Sequence, residues 1–187
     1  MKIDPNKTWR PVEERLKRET NPKVRSNLEV VLRHMKAEAL GDLDGLLETI
    51  SEVGTSYDAY GSEDAIYSPK TKADVRKFYE AFIASGATKL EFDIDRLVAD
   101  EDCVLTEGVM KMAYPGATLI AMGHAVDDPD ALYLYEARMA TLWPFGDDGL
   151  AKGEDTYTGG DGFAGIADRK LSESDLGELD LEALRAS

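Results

Sequence analysis

The stretch from Val30 to Gly61 constrains this chain most, because it fixes two helices, the break between them and a strand in one run. Leu28, Val31, Leu32, Met35 and Ala39 recur at helical spacing and give one apolar stripe. Gly41 ends that helix by accepting a left-handed conformation. Asp42 caps a second helix, whose buried side carries Leu43, Leu46, Leu47 and Ile50. Gly54 then opens a strand in which Tyr57 and Tyr60 suit a pleated, half-buried surface.

The rest of the chain follows in order. Residues 1–24 read as an arm with one short helix, with Pro11 at a first helical position and Asn21-Pro22 as its end. Helix one spans Lys23–Leu40, helix two Asp42–Ile50 and the first strand Gly54–Tyr60; residues 61–70 form a loop. A third helix, Lys72–Ser85, carries the stripe Val75, Phe78, Tyr79, Phe82 and is closed by Gly86. Long strands follow. Lys89–Val98 places Leu90, Phe92, Ile94 and Arg96 on one face and Glu91, Asp93, Asp95 and Leu97 on the other. The later strands are Cys103–Tyr114, Ala131–Phe145 and Leu150–Thr158, the last two joined by a Gly146–Gly149 hairpin. From Gly159 the composition turns flexible, and Ser172 caps a final acidic helix with Leu176, Leu179 and Leu184 on one side.

Composition narrows the function classes. A chain of 187 residues suits one domain with a good core. Its net charge of −15 repels phosphate backbones and anionic headgroups, so neither nucleic acid nor membrane is an expected partner. No apolar run approaches the ~18 residues that span a bilayer. No secretory signal is visible after Met1-Lys2, so a cytoplasmic location is the expectation. The lone Cys103 excludes an internal disulfide and any cysteine-rich metal site, and is most simply a buried thiol. Neither a metal nor a cofactor is expected: Asp127, Asp128 and Asp130 read as a turn, His124 as a surface residue, and Gly159–Gly165 lacks the context of a phosphate loop.

The run Val30–Gly61, with Gly-Asp-Leu-Asp-Gly at 41–45, then Gly61-Ser62-Glu63 and Val75-Arg76-Lys77-Phe78-Tyr79, resembles the nuclear transport factor 2-like superfamily, in its ketosteroid isomerase and SnoaL-like branch. The resemblance covers residues 25–158, between the arm 1–24 and the tail 159–187, with residues 117–130 as an insertion. It implies an α+β fold: a cone-shaped curved antiparallel sheet wrapped round three helices, with a deep apolar pocket and a dimer formed through the sheet's outer face.

The resemblance also implies site residues. Asp58 stands where the isomerases carry their general base, and an inner-strand carboxylate facing an apolar pocket has a raised pKa; otherwise it is a solvated Asp near a strand end. His34 matches the oxyanion-hole tyrosine of helix one, and otherwise sits inert at a helix–sheet seam. Tyr79 matches a supporting tyrosine, or is a core aromatic. Thr141 takes the place of the isomerases' protonated Asp, so steroid isomerisation is not expected. Strand parity from Thr141 adds Tyr135, Met139 and Trp143 on the same strand, Glu107 on the strand before and Glu154 on the last strand; Tyr60 also lines the pocket. A one-residue slip swaps these faces. Limonene epoxide hydrolases share the fold, but Gly108 and Met110 stand where their Arg and Asp are expected, which argues against epoxide hydrolysis.

The expected function is a cofactor-independent lyase or isomerase using acid–base chemistry on a small hydrophobic, aromatic substrate, with Asp58 moving the proton and His34 holding or protonating the oxygen. The alternative is a ligand-binding or assembly protein of the same fold without turnover.

Overall fold

The computed structural model describes residues 2–60 and 67–185. After a 3₁₀ turn at Pro5–Lys7, helix α1 spans Arg10–Leu16. Asn21 does not end the arm's helix but starts the next: its side chain accepts from the Lys23 and Val24 amides, and Pro22 occupies the first turn, where a missing N–H is harmless. Helix α2 is Pro22–Leu40 and ends at Gly41 with φ 67°. The Asp42 side chain accepts from the Gly45 amide and begins α3, Leu43–Leu47. That helix stops short of its expected end because Ile50 bridges to Ala151 instead.

Strand β1 is only Asp58–Tyr60. The residues before it bond elsewhere, the Ser56 amide to the Lys152 carbonyl at 2.8 Å and the Tyr57 amide to that of Pro69 at 3.3 Å. The expected loop 61–70 lies partly outside the described residues. Helix α4, Lys72–Ala84, is capped by Thr71, which accepts from Asp74. Then come β2 (Leu90–Ala99), β3 (Cys103–Pro115), α5 (Gly116–Ala121), β4 (Leu132–Pro144), β5 (Asp155–Gly159), β6 (Lys170–Leu171) and α6 (Leu181–Arg185). Helix α5 begins one residue before the segment 117–130 read as an insertion and occupies its first part. β5 starts later than expected because Ala151 bridges both Ile50 and Phe145, and regular pairing resumes only at Asp155.

The strand order is β1-β5-β4-β3-β2, with β6 beside β4. β1 runs parallel to β5 and every other pairing is antiparallel. A bulge between Ile94 and Arg96 turns β2 over. Arg96 therefore leaves the face of Leu90, Phe92 and Ile94, and Leu97 and Ala99 pack on the core in its place. Gly108 opposite makes the bulge possible, since any side chain there would collide with the Asp93 carbonyl. The inner face meets α1, α2, α3 and α4 over Trp9, Val12, Leu28, Val31, Ile50, Val75 and Trp143.

The two arms pack together along the edge strand β2. The Phe92 amide donates to Thr8 Oγ1 at 3.0 Å, and Ile3 bridges Leu176, with the Gly177 amide on the Ile3 carbonyl at 2.8 Å. Ser172 caps a 3₁₀ turn, Glu173–Asp175, rather than the final helix, so Leu176 and Leu179 lie in extended chain and only Leu184 belongs to α6. Among the described residues no helix is long and apolar enough to cross a membrane.

The outer face is mixed rather than wholly apolar. Arg138 binds Asp95 at 2.7 Å and Glu107 at 2.7 Å, and Arg96 also pairs with Glu107. Beside this network runs an apolar row, Val98, Leu105 and Leu142, aligned across three strands.

Candidate functional site: a buried His–Tyr–Glu cluster beside an apolar cavity

His34 lies in the middle of α2 and is fully buried. Its Nδ1 is 2.7 Å from Thr49 Oγ1, just beyond α3. That hydroxyl already donates its proton to the Leu46 carbonyl at 2.5 Å, so it can only accept from the ring. His34 therefore carries a proton on Nδ1, and its other nitrogen, Nε2, is the atom free to exchange one. Nε2 lies 3.0 Å from the Tyr79 hydroxyl on α4 and 3.3 Å from Glu154 Oε1. Tyr79 in turn donates to Glu154 Oε1 at 2.8 Å. Trp143 closes the ring edge-on, with centroids 5.0 Å apart, and gives its indole N–H to Thr106 Oγ1 at 3.3 Å.

The cluster thus holds a buried imidazole and a buried phenol within reach of a carboxylate, Glu154, that is itself partly exposed. A proton on any of them can pass to the next, because the Tyr79 hydroxyl contacts both His34 and Glu154. Burial and the Glu154 charge push the Tyr79 and Tyr57 hydroxyls well above the usual phenol range, so both stay protonated donors. Tyr57 packs edge-on to Tyr79, and its buried hydroxyl has no hydrogen-bond partner among the described residues.

Glu38 stands one turn along α2 from His34. Burial, with the Glu154 charge adding to it and His34 opposing, raises its carboxyl to about 7. Its side chain has no hydrogen bond or ion pair among the described residues. Glu38 also lines a cavity of about 400 Å³ bounded by Met35 and Ala39 of α2, Leu90 of β2, and Ile3 and Leu179 of the two arms. A carboxyl that is half ionised near neutral pH, at the wall of an apolar cavity, is suited to exchange a proton with a bound molecule.

The expected residues divide into those the fold gathers and those it disperses. His34, Tyr79, Trp143 and Glu154 meet in the cluster. Thr141 lies buried on the same sheet face, opposite Thr106, and Met139 on that face packs at the margin of the same core. Tyr135 shares the face but sits at the strand's other end, packed on Phe163 and Tyr114.

Asp58 does not join His34. Thr156 pairs with inward-facing Thr141, so Asp155 and its partner Asp58 point to the outer face. Asp58 binds Lys70 Nζ at 2.6 Å, and that contact holds its carboxyl below the usual range instead of above it. The same parity carries Tyr60 outward, 51% exposed and stacked on Tyr157 at 4.3 Å. Glu107 also faces out, because Thr106 and not Glu107 stands opposite Thr141. One residue decides each case: Tyr57, just before Asp58, is the one that faces the cluster.

Sequence reasoning missed Glu38 and Thr49. Glu38 had a signal, since it lies four residues after His34 and three after Met35, a charged residue on an apolar stripe. Thr49 had none, because its role depends on where α3 stops. Of the expected surface features, His124 stacks on Phe163 at 4.7 Å and Asp127 accepts from Tyr133; Cys103, expected as a buried thiol, is only half-buried.

The family model for the SnoaL-like domain matches residues 31–152. No curated protein matches the sequence. Among solved structures, a protein from Shewanella putrefaciens described as a SnoaL-like polyketide cyclase superposes with a TM-score of 0.62 at 12% identity, covering 85% of this chain and 92% of that one. An LEH-like epoxide hydrolase from M. tuberculosis gives 0.58 at 15% identity, with 79% and 94% covered. A SnoaL-like protein from Jannaschia gives 0.56 at 19%, with 75% and 90% covered. At these identities the likeness is one of fold.

Proposed function

The chain belongs to the SnoaL-like domain family, and from that premise we propose that it is a cofactor-independent enzyme of the lyase or isomerase type. It holds a small, largely apolar molecule in the 400 Å³ cavity and moves a proton on it. Glu38 exchanges that proton with the bound molecule. The cluster of His34, Tyr79 and Glu154 behind it takes up the change in charge by shifting its own protons, with Thr49 confining the exchange to His34 Nε2. The observation that carries this reading is the unpaired Glu38 carboxyl, raised to about 7 at the wall of an apolar cavity.

Several solved proteins of this fold are described as polyketide cyclases or epoxide hydrolases, which is consistent with a small-molecule reaction. The second reading is a binding protein without turnover, favoured by the largely apolar cavity lining. The homodimer expected from the sequence is part of the proposal, with the Val98–Leu105–Leu142 row as its contact.

A generic proton-transfer probe separates the two readings. 5-Nitrobenzisoxazole is flat and largely apolar, and a base that removes the C3–H proton of its isoxazole ring breaks the N–O bond and gives a nitrile and a coloured phenolate. The enzyme reading predicts ring opening well above that by free acetate at the same pH. Glu38→Gln then lowers kcat/KM by about two to four powers of ten with the fold intact. A wild-type rate no better than acetate leaves the binding-protein reading. A Glu38→Gln rate equal to wild type removes Glu38 as the exchanging group.

A further inference from the structure

We propose that the cavity recognises a basic nitrogen: its ligand is an apolar amine that enters as an ammonium ion and docks that ion on the Glu38 carboxylate. The inference rests on the reading of this cavity as the ligand site and names the chemistry of what fills it. The cavity is built differently from the family core. Ile3, Pro5, Thr8 and the segment Leu176–Leu179 all line it, and all lie outside the matched region 31–152. The two arms therefore give this chain a wall of its own.

Charge decides the class. The walls are mostly aliphatic: Ile3, Met35, Ala39, Leu90, Leu176 and Leu179. The ionisable groups among the lining residues are Glu38 inside and the exposed Lys89 and Glu178 at the mouth. Around Glu38 stand His34 on its own helix, Glu154 from the sheet side, and the neutral phenols Tyr57 and Tyr79. Asp42 adds another carboxylate, lining with Glu38 a second, small pocket at the helix end. None of these gives Glu38 a cation: among the described residues its carboxyl has neither an ion pair nor a hydrogen bond.

A half-buried carboxylate on an apolar wall favours a proton or a cation as partner. Without ligand it holds a proton part of the time near neutral pH. An ammonium ion supplies the missing partner directly, with a short charge-assisted hydrogen bond inside a cavity that screens it poorly. An anionic ligand would add a second negative charge beside Glu38 and Glu154 and is rejected. A neutral alcohol gains the apolar contacts alone. Docking of the cation also frees the proton that Glu38 holds in the empty cavity, so binding near neutral pH releases a fraction of a proton to the buffer.

Calorimetric titration with three probes of one chain length tests this: octylamine, 1-octanol and octanoate, at pH 7 and about 0.15 M salt to suppress binding to the acidic surface. Octylamine should bind about tenfold tighter than 1-octanol and octanoate weakest. Its heat should change between buffers of different ionisation enthalpy as protons are released. In Glu38→Gln the amine should lose its advantage while 1-octanol keeps its affinity. Ala39→Phe, which fills the cavity, should abolish binding of both.

Equal binding of amine and alcohol in the wild type overturns the amine proposal and leaves the cavity reading standing. An amine preference that survives Glu38→Gln, or amine binding that survives Ala39→Phe, also overturns it. No binding of any probe removes the amine proposal and the cavity reading together.

Discussion

Single atoms set the chemistry of this site. Thr49 can only accept from His34 Nδ1, because its own proton is spent on the Leu46 carbonyl. In the proposed proton exchange its hydroxyl would act through His34, as a positioning residue without contact to a substrate. Thr49→Val removes the acceptor and frees the imidazole to place its proton on either nitrogen. On the proposed function it should lower the ring-opening kcat by about tenfold or more with little change in KM. The ¹⁵N shifts of His34 should move from the Nδ1–H pattern to a mixture, and Thr49→Ser should restore both. A Thr49→Val variant with wild-type kcat and an unmixed Nδ1–H signal would show that Thr49 does not set the tautomer.

The same scale explains where sequence reading succeeded and failed. His34 and Tyr79 were singled out through the family resemblance, and Trp143 and Glu154 by parity counted from Thr141; the fold brings these four side chains together. Asp58, Tyr60 and Glu107 were misplaced by parity alone, which in a sheet moves a side chain to the opposite face for a shift of one residue. That parity is set by pairings between distant strands, Thr156 with Thr141 and Thr106 with Thr141, which the local pattern does not carry.

At the level of elements, the two long helices were read well, and the short helices and strand ends poorly. α2 and α4 start at capping side chains and carry clear apolar stripes, and both signals are local. The bulge in β2 was invisible because the alternation of Leu90, Phe92 and Ile94 gives no sign of where it stops. Gly108 on the neighbouring strand is its structural cause. Gly108→Ala should force β2 away from β3 and destabilise the protein by about 1–3 kcal/mol, the range for overpacking a tight site. Chemical denaturation measures this; a loss below about 0.5 kcal/mol would mean that the bulge does not need the glycine. The arms were the least legible segments. Their pairing joins Ile3 to Leu176 across nearly the whole chain, and no local pattern encodes it.

At the scale of the whole molecule, the outer sheet face joins an apolar row to an ion network. Val98 is 57% exposed, and Leu105 and Leu142 continue its row across the sheet. A dimer through this face would cover the row and leave the Arg138 network at its margin. Light scattering at micromolar concentration should give about twice the 20.6 kDa chain mass, and Leu105→Asp should return it to the chain mass. A wild-type protein that already runs at 20.6 kDa contradicts the dimer.

Glu38 connects the buried cluster to the cavity, and its raised affinity for a proton comes from burial first and from Glu154 second. A ¹³C titration of the Glu38 side-chain carboxyl in the ligand-free protein reads this directly. The predicted midpoint is about 7, moving down towards the ordinary carboxylate range when Glu154→Gln removes the neighbouring charge. A midpoint near 4.5 in the wild type, unchanged by Glu154→Gln, would mean that Glu38 is a solvated surface carboxylate, and the proposed proton exchange would fail with it.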